Sequence, residues 1–160
     1  MLKLIPQRKI KKDWEFYKKY IQKALRDTFK DKEKEGLKVI FSKLMNPFNP
    51  DMHLWSDNEY LIVTYIHECV FTQRKSLTLY TFTRLNYSKL ENINNKEDLK
   101  KYKVEMFKLY KDFYDATSNF AKTNNCIEVI ALSHLDHIAR IFKVLNKDVE
   151  ICYHITFPIT

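Results

Sequence analysis

The chain has 160 residues, with 28 Lys and Arg against 20 Asp and Glu and a formal net charge of +8. That length suits one domain with a substantial core. No apolar run reaches the roughly eighteen residues of a spanning helix, and the start "MLKLIPQRKIKKDW" lacks the apolar stretch of a cleaved signal peptide. The one glycine, Gly36, excludes a Walker A loop and a GxGxxG turn, and leaves tight turns to Asn, Asp and Pro.

Residues 1–43 are helical by pattern and carry the charge. Asp13 can cap a helix whose apolar stripe is Trp14, Tyr17, Ile21, Ala24, Leu25 and Thr28. "DKEKEG" ends it or links it to a second stripe, Leu37, Ile40, Phe41 and Leu44. This segment holds 14 Lys/Arg and 6 Asp/Glu, a net of +8, whereas residues 44–160 hold 14 of each. Residues 8–43 could therefore meet nucleic acid or an acidic partner. The other reading is a solvated helix face. It is favoured because Lys outnumbers Arg and no Arg-aromatic interleaving marks a groove.

"NPFNPD" is a loop, punctuated by two prolines and two asparagines. "MHLW", "EYLIVTYI" and "SLTLYTFTRL" are strand-like, with "SDN" and "TQRK" as turns, and predict an antiparallel meander. A polar insert spans residues 86–101. Then Tyr102, Met106, Leu109, Tyr110, Phe113, Thr117 and Phe120 mark a long amphipathic helix, ended by Asn124 or Asn125 as a left-handed cap. "CIEVIAL" reads as a short buried strand, "SHLDHIARIFKVLN" as a helix and "VEICYHITFPI" as a closing strand. The expected class is α+β, a single domain over 1–160 with a mixed, mostly antiparallel sheet flanked by helices. Cys69, Cys126 and Cys152 lie in or beside apolar runs without metal-ligand spacing, and are expected as free core thiols of a reducing compartment.

The segment "FAKTNNCIEVIALSHLDHIARIFKVLNKDVEICYHITF" resembles the second half of the GCN5-related N-acetyltransferase (GNAT) fold: long helix, strand, short helix, closing strand. Ala139, Ile141, Phe142 and Leu145 match the family's positions in the short helix. More narrowly, the segment resembles divergent acetyltransferase-like proteins of tailed phages, including internal virion proteins. That resemblance implies a phage or viral protein acting through protein–protein contacts in or on the virion, within the particle or the infected host cell.

The departures from the family bear on chemistry. Catalytic members hold the pyrophosphate of coenzyme A on backbone N–H groups of a glycine-containing turn before the long helix. Here Arg84-Leu85 is followed by "NYSKLENINNKED", which has no glycine; Lys89, Lys96, Lys100 and Lys101 could serve only as point charges. Many catalytic members carry a tyrosine where this chain has Phe142, which cannot protonate a leaving thiolate. Asn146-Lys147 stand in place of Gly-Phe, and Asn tolerates the left-handed turn.

Other groups weigh less. His134 and His137 are spaced to share a helix face, but no third metal ligand is near in sequence. "HECVF" at residues 67–71 lacks the second histidine of a zincin and falls in a strand-to-turn region. Glu59 and Glu68 are candidate general bases only by position; rim carboxylates are the simpler reading. No catalytic, cofactor-binding or metal residue is therefore nominated. The expected function is a degenerate, non-catalytic acetyltransferase-like protein without cofactor, whose contact surfaces are the basic helix and the 86–101 insert. The alternatives are an atypical acetyl-CoA-dependent N-acetyltransferase and a nucleic-acid-associated protein.

Overall fold

The computed structural model describes residues 2–29, 32–48, 51–57, 59–85, 96–131 and 136–148. Its elements run β1 (Lys3–Leu4), α1 (Gln7–Lys12), α2 (Trp14–Phe29), α3 (Glu33–Leu44), β2 (Met52–Ser56), β3 (Tyr60–Glu68), β4 (Lys75–Arg84), α4 (Lys96–Thr123), β5 (Cys126–Ala131) and α5 (Asp136–Leu145). The sheet order is β1-β2-β3-β4-β5. The first three junctions are antiparallel and β4–β5 is parallel. Short turns impose the β2–β3 and β3–β4 pairs, β1 joins β2 across three intervening helices, and the parallel neighbour β5 needs a long crossover, here α4.

Strand β3 is covered on both sides. Leu61 and Val63 join one apolar cluster with Tyr17, Ile21 and Leu25 of α2 and Leu37, Ile40 and Leu44 of α3. Ile62 faces the other way and packs with Trp55 and Phe113 of α4. Period-2 alternation thus feeds two helical layers. Each fully buried aliphatic side chain contributes about 1.5–3 kcal/mol relative to exposure. Gly36 lies inside α3, where an added Cβ would sit 3.4 Å from Leu25 Cδ1, an ordinary packing contact with α2.

Several boundaries move from the sequence reading. Pro6, whose fixed φ and missing N–H suit a helix start, precedes an extra helix, α1, and Ile10 of that helix is buried. Asp13 is the joint between α1 and α2. Its N–H donates to Lys9 O at 2.9 Å, and its carbonyl accepts from Phe16 N–H at 3.0 Å. Two residues ahead of Pro6 form β1, too short for any periodicity to announce. "DKEKEG" is not only a linker, since Glu33–Gly36 open α3. The insert is shorter than 86–101, because residues 96–101 already belong to α4. The late helix begins at Asp136; Ser133, His134 and the closing strand with Cys152 lie outside the described residues.

Two burial expectations are overturned. β5 is exposed, with Ile127 at 60% and Val129 at 38%, because among the described residues it has a neighbour only on its β4 side. Cys69 is not a core thiol. It sits at the β3–β4 turn, where hydrogen bonds from the Thr72 side chain and the Thr72 and Phe71 backbone, with Arg74 nearby, lower its thiol pKa. Cys126 is half-buried, and burial raises its thiol.

The predicted Asn cap of α4 is present: Asn125 has φ 58°, and its N–H donates to Lys122 O at 3.1 Å. A side chain with a Cβ but no amide costs more there than glycine does. Asn125→Ala is expected to lower stability by about 1 kcal/mol and Asn125→Gly to leave it level or higher. Urea unfolding of both variants measures this; equal losses would contradict the cap.

Candidate functional site

The candidate site is the Arg84 end of β4. Parallel pairing with β5 runs from Lys75↔Cys126 to Leu79↔Ala131. From Tyr80 to Arg84, β4 pairs only with β3 among the described residues. The β3–β4 register also shifts between Val63/Thr64, whose partners are Thr81 and Leu79, so Tyr80 is the extra residue of a bulge. A bulge bends its strand and re-aims the side chains beyond it. The backbone is thus distorted where β5 ceases to pair.

Arg84 pairs with Tyr60 across the ladder, and both side chains lie on the α4 face. Arg84 is 7% exposed, yet its Nε and Nη1 have no hydrogen-bond partner. Its guanidinium carbon is 5.7 Å from the Tyr60 ring centroid and 5.7 Å from that of Tyr102, in the second turn of α4. Tyr60 is no counter-ion. Burial pushes its pKa up to about 12, and its hydroxyl donates to Met106 Sδ at 3.1 Å. Two ring contacts contribute about 0.5–2 kcal/mol each, whereas taking a cation out of water costs several kcal/mol unless it is paired and hydrogen-bonded. A cation so placed suits an anion supplied from outside the fold.

An aromatic chain leads away from Arg84. Phe82 lies 5.3 Å from Tyr60 and 6.0 Å from Tyr110 between ring centroids. Phe142 of α5 then stands 5.9 Å from Tyr110, 6.3 Å from Phe113 and 6.4 Å from Tyr114. Phe142 therefore clamps α5 to α4. Asn146, just past α5, donates from Nδ2 to the Tyr114 hydroxyl at 2.9 Å, and its own N–H donates to Phe142 O at 2.9 Å.

The carboxylates named from sequence separate. Glu68 pairs with Lys75 at the far end of the ladder, 3.7 Å from its ammonium group, and has no access to the Arg84 end. Glu59 precedes β3 at the Arg84 end, where its carbonyl accepts from Leu85 N–H at 2.7 Å. Lys96, Lys100 and Lys101 are exposed on the first turns of α4, beside the acidic Glu97 and Asp98. Those two carboxylates already complement the helix dipole and disfavour an anion resting on the N-terminus itself. Lys89 and His134 lie outside the described residues. Among the described residues, no group of three His, Cys, Asp or Glu could hold a metal, and no helix is long and apolar enough to cross a membrane.

Over residues 8–43, part of the basic charge is neutralised locally. Lys9 pairs with Asp13 at 3.0 Å, Lys18 with Glu15 at 3.4 Å, and Arg26 with Glu33 at 2.6 Å. Lys19 lies over the Phe16 and Tyr20 rings. A recess of about 440 Å³ between α1 and α2 is lined by Lys9, Lys12, Asp13, Glu15, Phe16 and Tyr17, a mixed-charge wall.

The sequence reading gave Tyr60 no role, Arg84 only the end of a strand, and Tyr102 a place in the long helix's stripe from which, with Tyr110 and Tyr114, it could reach a partner. The signal was present: in "TFTRL", Phe82 and Arg84 share one strand face, so an arginine is carried inward beside an aromatic. It also passed over His53. Its Nε2 is buried without a partner, and its ring meets Phe120 edge-on at 4.7 Å.

No protein-family model matches this chain, and no curated protein matches it in sequence. Solved structures do match in fold. A possible acetyltransferase from Clostridium difficile 630 aligns over 100% of this chain and 96% of its own, with TM-score 0.58 and 8% identity. A GNAT family acetyltransferase from Staphylococcus aureus aligns over 99% and 98%, with TM-score 0.53 and 14% identity. A predicted acetyltransferase from Clostridium acetobutylicum, solved with acetyl-CoA, aligns over 98% and 95%, with TM-score 0.56 and 12% identity. At such identities the likeness establishes the fold: α+β, with the mixed sheet and helical layers of the GNAT proteins.

Burial lowers the pKa of His53 from 6.5, against the opposing charge of Asp51. The unfolded chain then binds the proton more readily, so stability rises with pH across the window below about 6.5. Wild type is expected to lose more stability than His53→Phe between about pH 7.5 and 5.5 in urea unfolding. Equal losses would show that His53 carries no such linkage.

Proposed function

We propose that the chain is an acetyl-CoA-dependent N-acetyltransferase of atypical build, with its donor site at the Arg84 end of β4. The observation that carries this reading is Arg84 at the end of β4: its guanidinium is buried, with Nε and Nη1 lacking a hydrogen-bond partner. Support comes from a fold shared with acetyltransferases, one of them solved with acetyl-CoA.

Acetyl-CoA, when bound, supplies the thioester that serves as acyl donor. The chain's own residues supply binding and orientation. A linear, amide-bearing ligand can lie along a strand edge as another strand would. Arg84 offers donors to a phosphate oxygen, a fit that the glycine-free turn after β4 does not provide by backbone. The aromatic chain Tyr60–Phe82–Tyr110–Phe142 forms an apolar wall on the α4 face. Phe142 has no hydroxyl, so it holds no proton for a leaving thiolate; rate enhancement on this reading comes from placement.

A second reading, a non-catalytic acetyltransferase-like protein of phage or virion origin working by protein contact, is favoured by the β3–β4 turn. There Val70 is 87% and Phe71 96% exposed, an apolar tip presented to solvent. The nucleic-acid reading over residues 8–43 has less support, because several of its cations are paired with carboxylates on neighbouring turns.

Isothermal titration of the full chain with acetyl-CoA decides between the first two. The enzyme reading expects a Kd on the order of 1–100 µM, weakening with salt. No heat of binding at millimolar ligand would leave the contact reading standing alone.

A further inference from the structure

Arg84 is buried, and its Nε and Nη1 have no hydrogen-bond partner. Among the described residues, its guanidinium lies over the faces of Tyr60 and Tyr102. Aromatic faces attract a cation yet accept none of its in-plane N–H groups, which is why Nε and Nη1 remain without partners. The Tyr60 oxygen is turned to Met106 Sδ. Among the described residues, no carboxylate forms an ion pair with the guanidinium. Charge, planarity and a slot between two rings together select a compact oxyanion with several acceptor atoms.

We propose that Arg84 is a phosphate receptor, a buried side-chain clamp in a chain whose β4–α4 connection has no glycine to bring backbone N–H groups onto a phosphate. The inference rests on the acetyl-CoA reading for the natural source, the pyrophosphate of the cofactor. Free inorganic phosphate presents the same chemistry. A receptor of this kind is destabilising while empty, because the cation has given up water without gaining an anion.

The test uses the full chain, with Arg84→Met and Arg84→Lys, and needs no activity assay. Met retains an apolar stem between the two rings; Lys retains the charge without the planar fork. Thermal unfolding is followed without ligand and with sodium pyrophosphate, acetyl-CoA or S-acetylpantetheine, which lacks phosphate. Arg84→Met is expected to unfold at a higher temperature than wild type without ligand and to lose the shift given by pyrophosphate. Its affinity for acetyl-CoA should fall about 10–100-fold, with Arg84→Lys between and S-acetylpantetheine unchanged. Were Arg84→Met to bind acetyl-CoA as tightly as wild type, the receptor would be disproved and the acetyl-CoA reading would survive. A response of wild type, but not of Arg84→Met, to pyrophosphate without acetyl-CoA binding would support the receptor and defeat that reading. Lower stability of Arg84→Met with an unchanged pyrophosphate shift would mark Arg84 as structural and overturn the proposal.

Discussion

The architecture depends on burying β3 on both faces. Leu61, Ile62, Val63 and Thr64 are each at most 1% exposed, and they alternate between two separate apolar clusters. A strand covered from both sides fixes its register strongly, since a slip by one residue would exchange the two clusters. Its partner β4 inherits that constraint, and the bulge at Tyr80 is where the ladder absorbs one extra residue. The candidate site's β4 residues, Phe82 and Arg84, lie beyond that bulge. Phe82 and Arg84 are held on the α4 face because they pair with Ile62 and Tyr60.

The polar groups on this face differ in how well they are satisfied. Trp55 donates to Thr64 Oγ1 at 2.9 Å, and the buried hydroxyl of Thr117 donates to Phe113 O at 2.8 Å. Such closed pairs are the rule in protein interiors. Arg84 departs from it, and unsatisfied buried groups concentrate where a fold is built to receive something. Phe142 illustrates the opposite case: its ring has three aromatic neighbours and no chemical duty visible in its contacts. Between them, these two residues set an unsatisfied buried cation beside a fully packed ring.

Much of the fold was legible because its signals are local. The stripe Tyr17, Ile21 and Leu25, the meander of β2 to β4 and the Asn cap of α4 each follow from spacing or from one residue's conformational preference. β1 was not legible: two residues carry no period, and they are held by pairing with Ser56 and Trp55, far along the chain. The exposure of β5 was also hidden, because an apolar run states a preference for burial but not which neighbours will supply it. For the candidate site, the missing phosphate turn and Phe142 could be read directly. The inward side of Arg84 could be read from "TFTRL", but its setting comes from Tyr60 across the ladder and Tyr102 on a helix beyond the insert. The expectation of no cofactor rested on the missing backbone turn; Arg84 lies at the same end of the strand.

A crystal structure of the chain grown with coenzyme A tests the central claim most directly. The account predicts the ligand's amide-bearing arm along the Tyr80–Arg84 edge of β4, with a phosphate oxygen about 3 Å from an Arg84 nitrogen. Coenzyme A seated elsewhere, such as the recess between α1 and α2, with Arg84 still enclosed by Tyr60 and Tyr102 alone, would contradict it.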